Sequence, residues 1–142
     1  MATEKIYICE CGYSQPTNLL VDVLNEKAMD LMHLCPHCKK NMDIELTFKF
    51  GLGAGENKCK VLHVFKPKDI ESWVNPESDL TIEFHPFLVI LEEYENKDIS
   101  IWLPYWHYED EDPKYGQWAP FMHLETFRSL LEQAKLAGYI FN

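Results

Sequence analysis

Arginine is almost missing from this chain. Among 142 residues Arg128 stands alone, and thirteen basic residues face twenty-three acidic ones, for a net charge of −10. Duplex nucleic acid is held largely by Lys and Arg neutralising phosphates, and Arg makes the commonest base-specific contact. The composition therefore argues against nucleic acid as a partner. Long apolar runs are missing too: Leu19 to Leu24, interrupted by Asp22, and Phe87 to Leu91 fall far short of the ~20 residues a spanning helix needs. The start, Met1-Ala-Thr-Glu-Lys5, leads into Ile6-Tyr7-Ile8 without an apolar leader, and the expectation is a cytoplasmic protein with no membrane partner. No serine nucleophile elbow and no metalloprotease helix occur. Gly51-Leu-Gly-Ala-Gly55 stands between two strand-like stretches, not between a strand and a helix, so it fails as a nucleotide loop. These absences make a non-enzymatic protein the leading expectation, with thiol chemistry at Cys35-Pro-His-Cys38 the enzyme class that stays open.

What is present suffices for a core: 46% of residues are hydrophobic and 13% aromatic, which excludes disorder throughout. Met42, Ile44, Leu46, Phe48 and Phe50 alternate with polar residues, the period of a half-buried strand. Lys60 to Phe65 reads as its hairpin partner. Further strands are expected at Leu80–Phe84, Phe87–Glu92 and Ile99–Leu103. Pro67 to Val74 reads as one or two helical turns, Ser14 to Asn18 as a turn, and Tyr108 to Gln117 as an acidic loop. Residues 19–34 fit a helix best, with Leu20, Val21, Val23, Leu24, Ala28, Leu31 and Met32 on one side, although Leu-Leu-Val-Asp-Val-Leu also suits a hairpin strand. Leu124, Phe127, Leu130, Leu131 and Ala134 keep helical spacing, and Gly138 stands where a helix C-terminal glycine belongs.

Four of the five cysteines form two close pairs, Cys9-x-Cys11 and Cys35-x2-Cys38, with 23 residues between them. A structural zinc ion takes four tetrahedral ligands, and two thiolates close in sequence occupy one edge of that tetrahedron. Gly12 permits the tight turn after the first pair, and Pro36 stiffens the second. The knuckles YICECGYS and LCPHCKKN resemble a zinc ribbon over about residues 5–50, with an x rather than x2 spacing in the first. The resemblance implies one structural zinc ion per chain, held by Cys9, Cys11, Cys35 and Cys38. Cys35-Pro-His-Cys38 is also similar to the active-site tetrapeptide of bacterial disulfide-forming oxidoreductases with a thioredoxin-like fold. There the first cysteine opens a helix whose dipole lowers its pKa; here the residues that follow alternate with strand period. Cys59 reads as a small buried core residue. With His63 it has a loose ligand-like spacing, but on a regular strand the two share a face about 13 Å apart, too far for one ion.

Trp102 to Trp118 is the most unusual stretch: seven of its seventeen residues are Trp, Tyr or His, and Glu109, Asp110, Glu111 and Asp112 are consecutive. Exposed aromatics inside a polar rim anchor protein interfaces. Tyr105, Trp106, Tyr108 and the four carboxylates are therefore the candidate partner-facing surface, beside the alternative that several of the aromatics cover a sheet.

The expected fold class is α+β: an N-terminal zinc ribbon over 1–50, continuing into a mostly antiparallel β-sheet closed by a C-terminal helix. Residues 1–50 carry −2 and residues 51–142 carry −8; the two stretches should pack as one unit. The leading functional expectation is a zinc-stabilised, non-enzymatic interaction protein that binds a basic protein partner through its acidic and aromatic face, one version being an inhibitor that imitates nucleic acid. Two other classes stand beside it: nucleic-acid binding through the ribbon with Lys39, Lys40 and Lys49, and thiol oxidoreduction at Cys35-Pro-His-Cys38.

Overall fold

Alternating sequence becomes strand along nearly half of the described chain. The computed structural model describes residues 2–49, 56–116 and 119–139. A seven-stranded antiparallel sheet has the spatial order β11-β8-β7-β4-β3-β1-β2. Its members are β1 (Ala2–Ile8), β2 (Ser14–Pro16), β3 (Asp43–Lys49), β4 (Glu56–Phe65), β7 (Leu88–Glu93), β8 (Ile99–Trp102) and β11 (Phe121–His123). A four-stranded sheet, ordered β10-β9-β6-β5, comprises β5 (Glu71–Val74), β6 (Thr81–Pro86), β9 (Tyr105–Glu109) and β10 (Asp112–Tyr115). Two helices complete the α+β fold, α1 (Leu20–Ala28) and α2 (Leu124–Leu136).

The two sheets share chain. β6 runs into β7, and β8 into β9, so that Pro86 pairs with Tyr105 in the small sheet and Val89 with Trp102 in the large one. At the corner Phe87 donates its N–H to the Pro104 carbonyl at 2.9 Å. Proline cannot donate to a ladder, and Pro86 and Pro104 stand where the paired strands bend from one sheet to the other. The resulting angle encloses the core, in which Trp102, Phe48, Leu46, Leu91 and Val89 are fully buried. Phe48 meets Trp102 edge-on at 5.0 Å. α1 adds Val21, Val23 and Leu24 to the same core.

The β3–β4 hairpin forms as its period requires, with Leu46 opposite Cys59. Phe50 and the Gly51–Gly55 connection lie outside the described residues. Several expectations need correction. Pro67–Val74 is not helical: its second half is β5, paired with β6. Ser14–Pro16 pairs with β1 instead of forming only a turn. α1 ends at Ala28, and Asp30 takes a positive φ of 56°; Leu31 and Met32 therefore lie beyond the helix and are exposed. The β4 ladder slips between Val61 and His63. That bulge puts His63 on the outside while Cys59 is fully buried, so the two do not share a face. α2 packs against β8 and β11 at one end of the sheet with Leu124, Phe127 and Ala134 half-buried, and none of its side chains is fully buried.

The stretch expected as an acidic loop is largely a β-hairpin. Glu109 pairs with Asp112, leaving Asp110-Glu111 as a two-residue turn with φ of 45° and 73°. Positive φ at both central positions is the type I′ geometry that matches strand twist, ordinarily supplied by Asn-Gly. Asp110 is tied in place: its N–H donates to the Thr81 carbonyl at 3.2 Å and its Oδ1 accepts from the Thr81 N–H at 3.3 Å. Glu111 sits left-handed at a cost of roughly 1–2 kcal/mol for a side-chain-bearing residue. Glu111→Gly is accordingly expected to raise unfolding free energy by about 1 kcal/mol in urea denaturation. An unchanged or lower midpoint would show that the turn is not strained.

Candidate metal centre

The cysteines reach one place from two turns. Cys9 and Cys11 occupy the connection from β1 to β2, where the Cys9 N–H donates to the Tyr13 carbonyl and the Gly12 N–H to the Cys9 carbonyl. Gly12 has φ +96°, open to glycine and strained for any side chain. Cys35 and Cys38 lie on a second turn before β3, closed by the Cys35 N–H to the Lys40 carbonyl at 2.8 Å and the Lys39 N–H to the Cys35 carbonyl at 2.9 Å. Across the gap Cys9 Sγ is 3.3 Å from Cys38 Sγ, and Cys11 Sγ is 3.7 Å from Cys35 Sγ. All four sulfurs lie within 4.8 Å of one another.

Those spacings suit one ion. Four sulfurs at about 2.3 Å from a tetrahedral zinc are about 3.8 Å apart. They are also too long for disulfides, whose sulfurs are bonded at about 2.0 Å, and all four thiols are free. The His37 N–H donates to Cys35 Sγ at 3.4 Å, the kind of amide contact that steadies a thiolate. Electrostatics divides the group. For Cys35, burial opposes ionisation, but the amides of Cys38 and His37 and the neighbouring thiols outweigh it and bring the pKa down to about 6. At Cys9 the backbone of Cys11 favours the thiolate, yet the Cys38, Cys11 and Cys35 sulfurs and burial together push the pKa up to about 12. Four converging thiols cannot all ionise against one another; a cation among them removes that conflict. The four cysteines thus form a cluster compatible with zinc.

The histidines near the cluster have other partners. His33 Nε2 is 2.7 Å from Glu26 Oε2 and 2.9 Å from the Tyr7 hydroxyl, with its ring stacked on Tyr7. The His37 ring leans on Tyr13. Cys59 is not a member of the cluster, and burial, then the charge of Glu93, raises its thiol pKa to about 12. The chain matches no protein-family model, no curated protein and no solved structure, and the site is read from its own geometry.

Strand alternation splits the candidate partner surface. Trp106 is only 5% exposed, edge-on to Phe87 and against Tyr115. It belongs to the core and offers no contact area to a partner. Tyr108 is half-buried on the same face, beside His85, with its phenol pKa raised by burial and then by Asp22 and Glu83. Tyr105 points the other way. It joins Phe84, His107 and Trp73, whose rings lie 5.6–6.0 Å apart in successive pairs. Trp73 is 45% exposed, and the other three are half-buried. Glu109 is half-buried at the rim, while Asp110, Glu111 and Asp112 are exposed. Glu83, Tyr108, Asp110 and Glu111 line an open groove of about 430 Å³ with Thr81. Trp73 and Phe84 are surface aromatics the sequence reading passed over; the strand period of Glu71–Val74 was hidden in a segment taken for helix.

Purified protein is expected to contain one zinc per chain by atomic emission. Cys9→Ser or Cys35→Ser should each abolish it and lower the melting temperature as chelation does, since binding free energy at a structural site is folding free energy. Cys59→Ala should keep the metal. A zinc requirement for Cys59, or a dispensable member among the four, would overturn the assignment.

Proposed function

We propose that this protein is a zinc-stabilised, non-enzymatic interaction module that binds a basic protein partner through the outer face of its four-stranded sheet. One version is an inhibitor whose acidic surface takes the place of nucleic acid on that partner. The supporting observation is the open aromatic row Trp73, Phe84, Tyr105 and His107, bordered by the carboxylates of Glu109 and Asp112, with Glu111 at the hairpin turn between them. Exposed aromatics grouped on one face, with a charged rim, are the composition of interface anchors. The carboxylates repel one another in the free protein and attract a positive partner, which accelerates encounter. Zinc is the ion assigned to the cysteines because four soft thiolates in tetrahedral spacing select it. Its part is to fix the β1–β2 turn and the approach to β3.

Two rival readings have less support. For nucleic-acid binding the ribbon has little free positive charge: Lys40 Nζ lies 2.7 Å from Glu10, and Lys49 Nζ lies 3.7 Å from Glu56 and 3.9 Å from Glu4. For thiol oxidoreduction a helix should open at Cys35, and among the described residues none does. Cys38 Sγ lies beside Cys9.

The test is capture on immobilised protein followed by kinetics on the captured species. The triple variant Glu109→Ser, Glu111→Ser, Asp112→Ser spares the turn residue Asp110, and it should slow association in low salt by about ten-fold or more. Trp73→Ala should mainly quicken dissociation, by roughly 30-fold if the ring is an anchor worth about 2 kcal/mol. Unchanged rates in both variants would remove this face from the account. A salt-sensitive shift of labelled RNA or DNA by the wild-type protein would favour the ribbon reading.

A further inference from the structure

A second set of metal-ligating side chains lies at the other end of the large sheet. Glu93 closes β7, Asp98 precedes β8, and His123 ends β11 and stands immediately before α2. Pairing of β11 with β8 sets His123 opposite Ser100, and the turn between β7 and β8 brings Asp98 back to Glu93, whose N–H donates to the Asp98 carbonyl at 2.9 Å. His123 Nδ1 is 4.0 Å from Glu93 Oε2 and 4.0 Å from Asp98 Oδ2. One donor atom from each residue lies within 4.8 Å of the other two.

The decisive member is Glu93. Its side chain is 8% exposed, while those of Asp98 and His123 are 49% and 60% exposed. A buried carboxylate is costly unless it is paired or coordinates a metal. Here both oxygens are held by neutral donors: Asn57 Nδ2 donates to Oε1 at 2.7 Å and Ser100 Oγ to Oε2 at 2.8 Å. Metal-binding carboxylates are characteristically oriented in this way by outer hydrogen bonds. Neutral donors fix its direction without neutralising its charge, and the side it turns outward meets an imidazole and a second carboxylate. The solvent side is a hollow of about 370 Å³ lined by Lys97, Asp98, Ile99, His123, Leu124 and Glu125, with room for water ligands. The Lys97 ammonium lies over the Tyr94 ring, 5.8 Å from its centroid.

We propose that Glu93, Asp98 and His123 form a second site, for a divalent first-row transition cation, which clamps the start of α2 to the turn between β7 and β8. Imidazole and carboxylate donors suit such ions at about 2.0–2.2 Å. Tetrahedral donors at that radius stand about 3.4 Å apart, so the two exposed side chains need to close by roughly 0.6 Å. Three protein ligands leave the remaining coordination to water. The clamp matters because α2 is only half-buried against β8 and β11, with no side chain fully buried, and a helix of its length is marginal in water without such support.

Full-length protein already holding one zinc on its cysteines is titrated with Co²⁺ and, separately, with Zn²⁺ against a chromophoric chelator. A second equivalent should bind, and the cobalt form should show weak visible absorption without the intense ultraviolet sulfur-to-metal transition of the cysteine site. His123→Ala and Asp98→Asn, both at exposed positions, should each weaken that equivalent at least ten-fold while the cysteine-bound zinc stays. Ser100→Ala, which leaves all three ligands in place, should weaken it about ten-fold, the effect of losing an outer hydrogen bond. Amide exchange across Leu124–Leu131 should slow when the second ion binds. A stoichiometry fixed at one, the result expected if protonated His123 merely ion-pairs with the two carboxylates, overturns the site. A second equivalent that survives both ligand variants does so too. Binding without slower exchange in α2 overturns the clamp.

Discussion

Two lengths of chain pass from one sheet to the other together, and the period-two alternation of their side chains continues through the bend. That constraint assigns the residues of the paired strands β6 and β9 to the inside or the outside. With His85 paired to Trp106, and Phe84 to His107, neighbouring aromatics must take opposite faces. Trp106 goes inward to Phe87, and Tyr105 and His107 go outward to Phe84. A one-residue slip would bury His107 and expose Trp106. The bond from Phe87 N–H to the Pro104 carbonyl pins the register at the corner. The outer face thus follows from the core: burying Trp106 fixes which rings remain in water.

The cysteine cluster is governed by a different constraint. Its four sulfurs converge from two turns remote in sequence, and they share hydrogen bonds unequally. At Cys35 burial is outweighed by backbone amides and neighbouring thiols, which bring it down to about 6. At Cys9 the Cys11 backbone is outweighed by the other sulfurs and burial, which push it up to about 12. Four converging thiolates would repel one another, and a divalent ion among them would turn that repulsion into attraction while tying the β1–β2 turn to the chain entering β3.

Features carried by short-range pattern were legible in the sequence. Cysteine spacing named the cluster, and alternation from Met42 to Phe48 named β3, because each depends on neighbours a few residues away. α2 was legible from its spacing and from Gly138, which takes φ +89° after the helix. The shallowness of its packing, with no side chain fully buried, was not, since amphipathicity says which face seeks cover and nothing of how deep that cover is. The β9–β10 hairpin was hidden because Asp110 and Glu111 occupy left-handed positions without the glycine that usually announces them. The outward placement of His63 was hidden by a bulge, which changes strand parity without any marker in composition. The approach of Glu93 and Asp98 to His123 was beyond reach for another reason. It exists only because β11 returns to pair with β8, a long-range choice no local window contains.

Sheet edges connect these features. An edge strand presents unpaired backbone groups that invite other chains, and proteins blunt such edges by shortness, proline or charge. The large sheet ends in β2 and β11, each three residues long. β2 contains Pro16 and follows the first cysteine turn; β11 passes directly into α2. In the small sheet β10 is edged by Asp112, Pro113 and Lys114. β5 differs: all four of its residues, Glu71-Ser72-Trp73-Val74, are exposed, and it carries no proline and only one charge. Among the described residues it is the one edge of the four without such a guard, and it carries Trp73, the most exposed ring of the aromatic row. An unguarded edge and an apolar anchor at the same place would be a liability in a protein with no use for them. The carboxylates of the nearby β9–β10 hairpin put negative charge beside that edge, the complement of the basic partner proposed for this face.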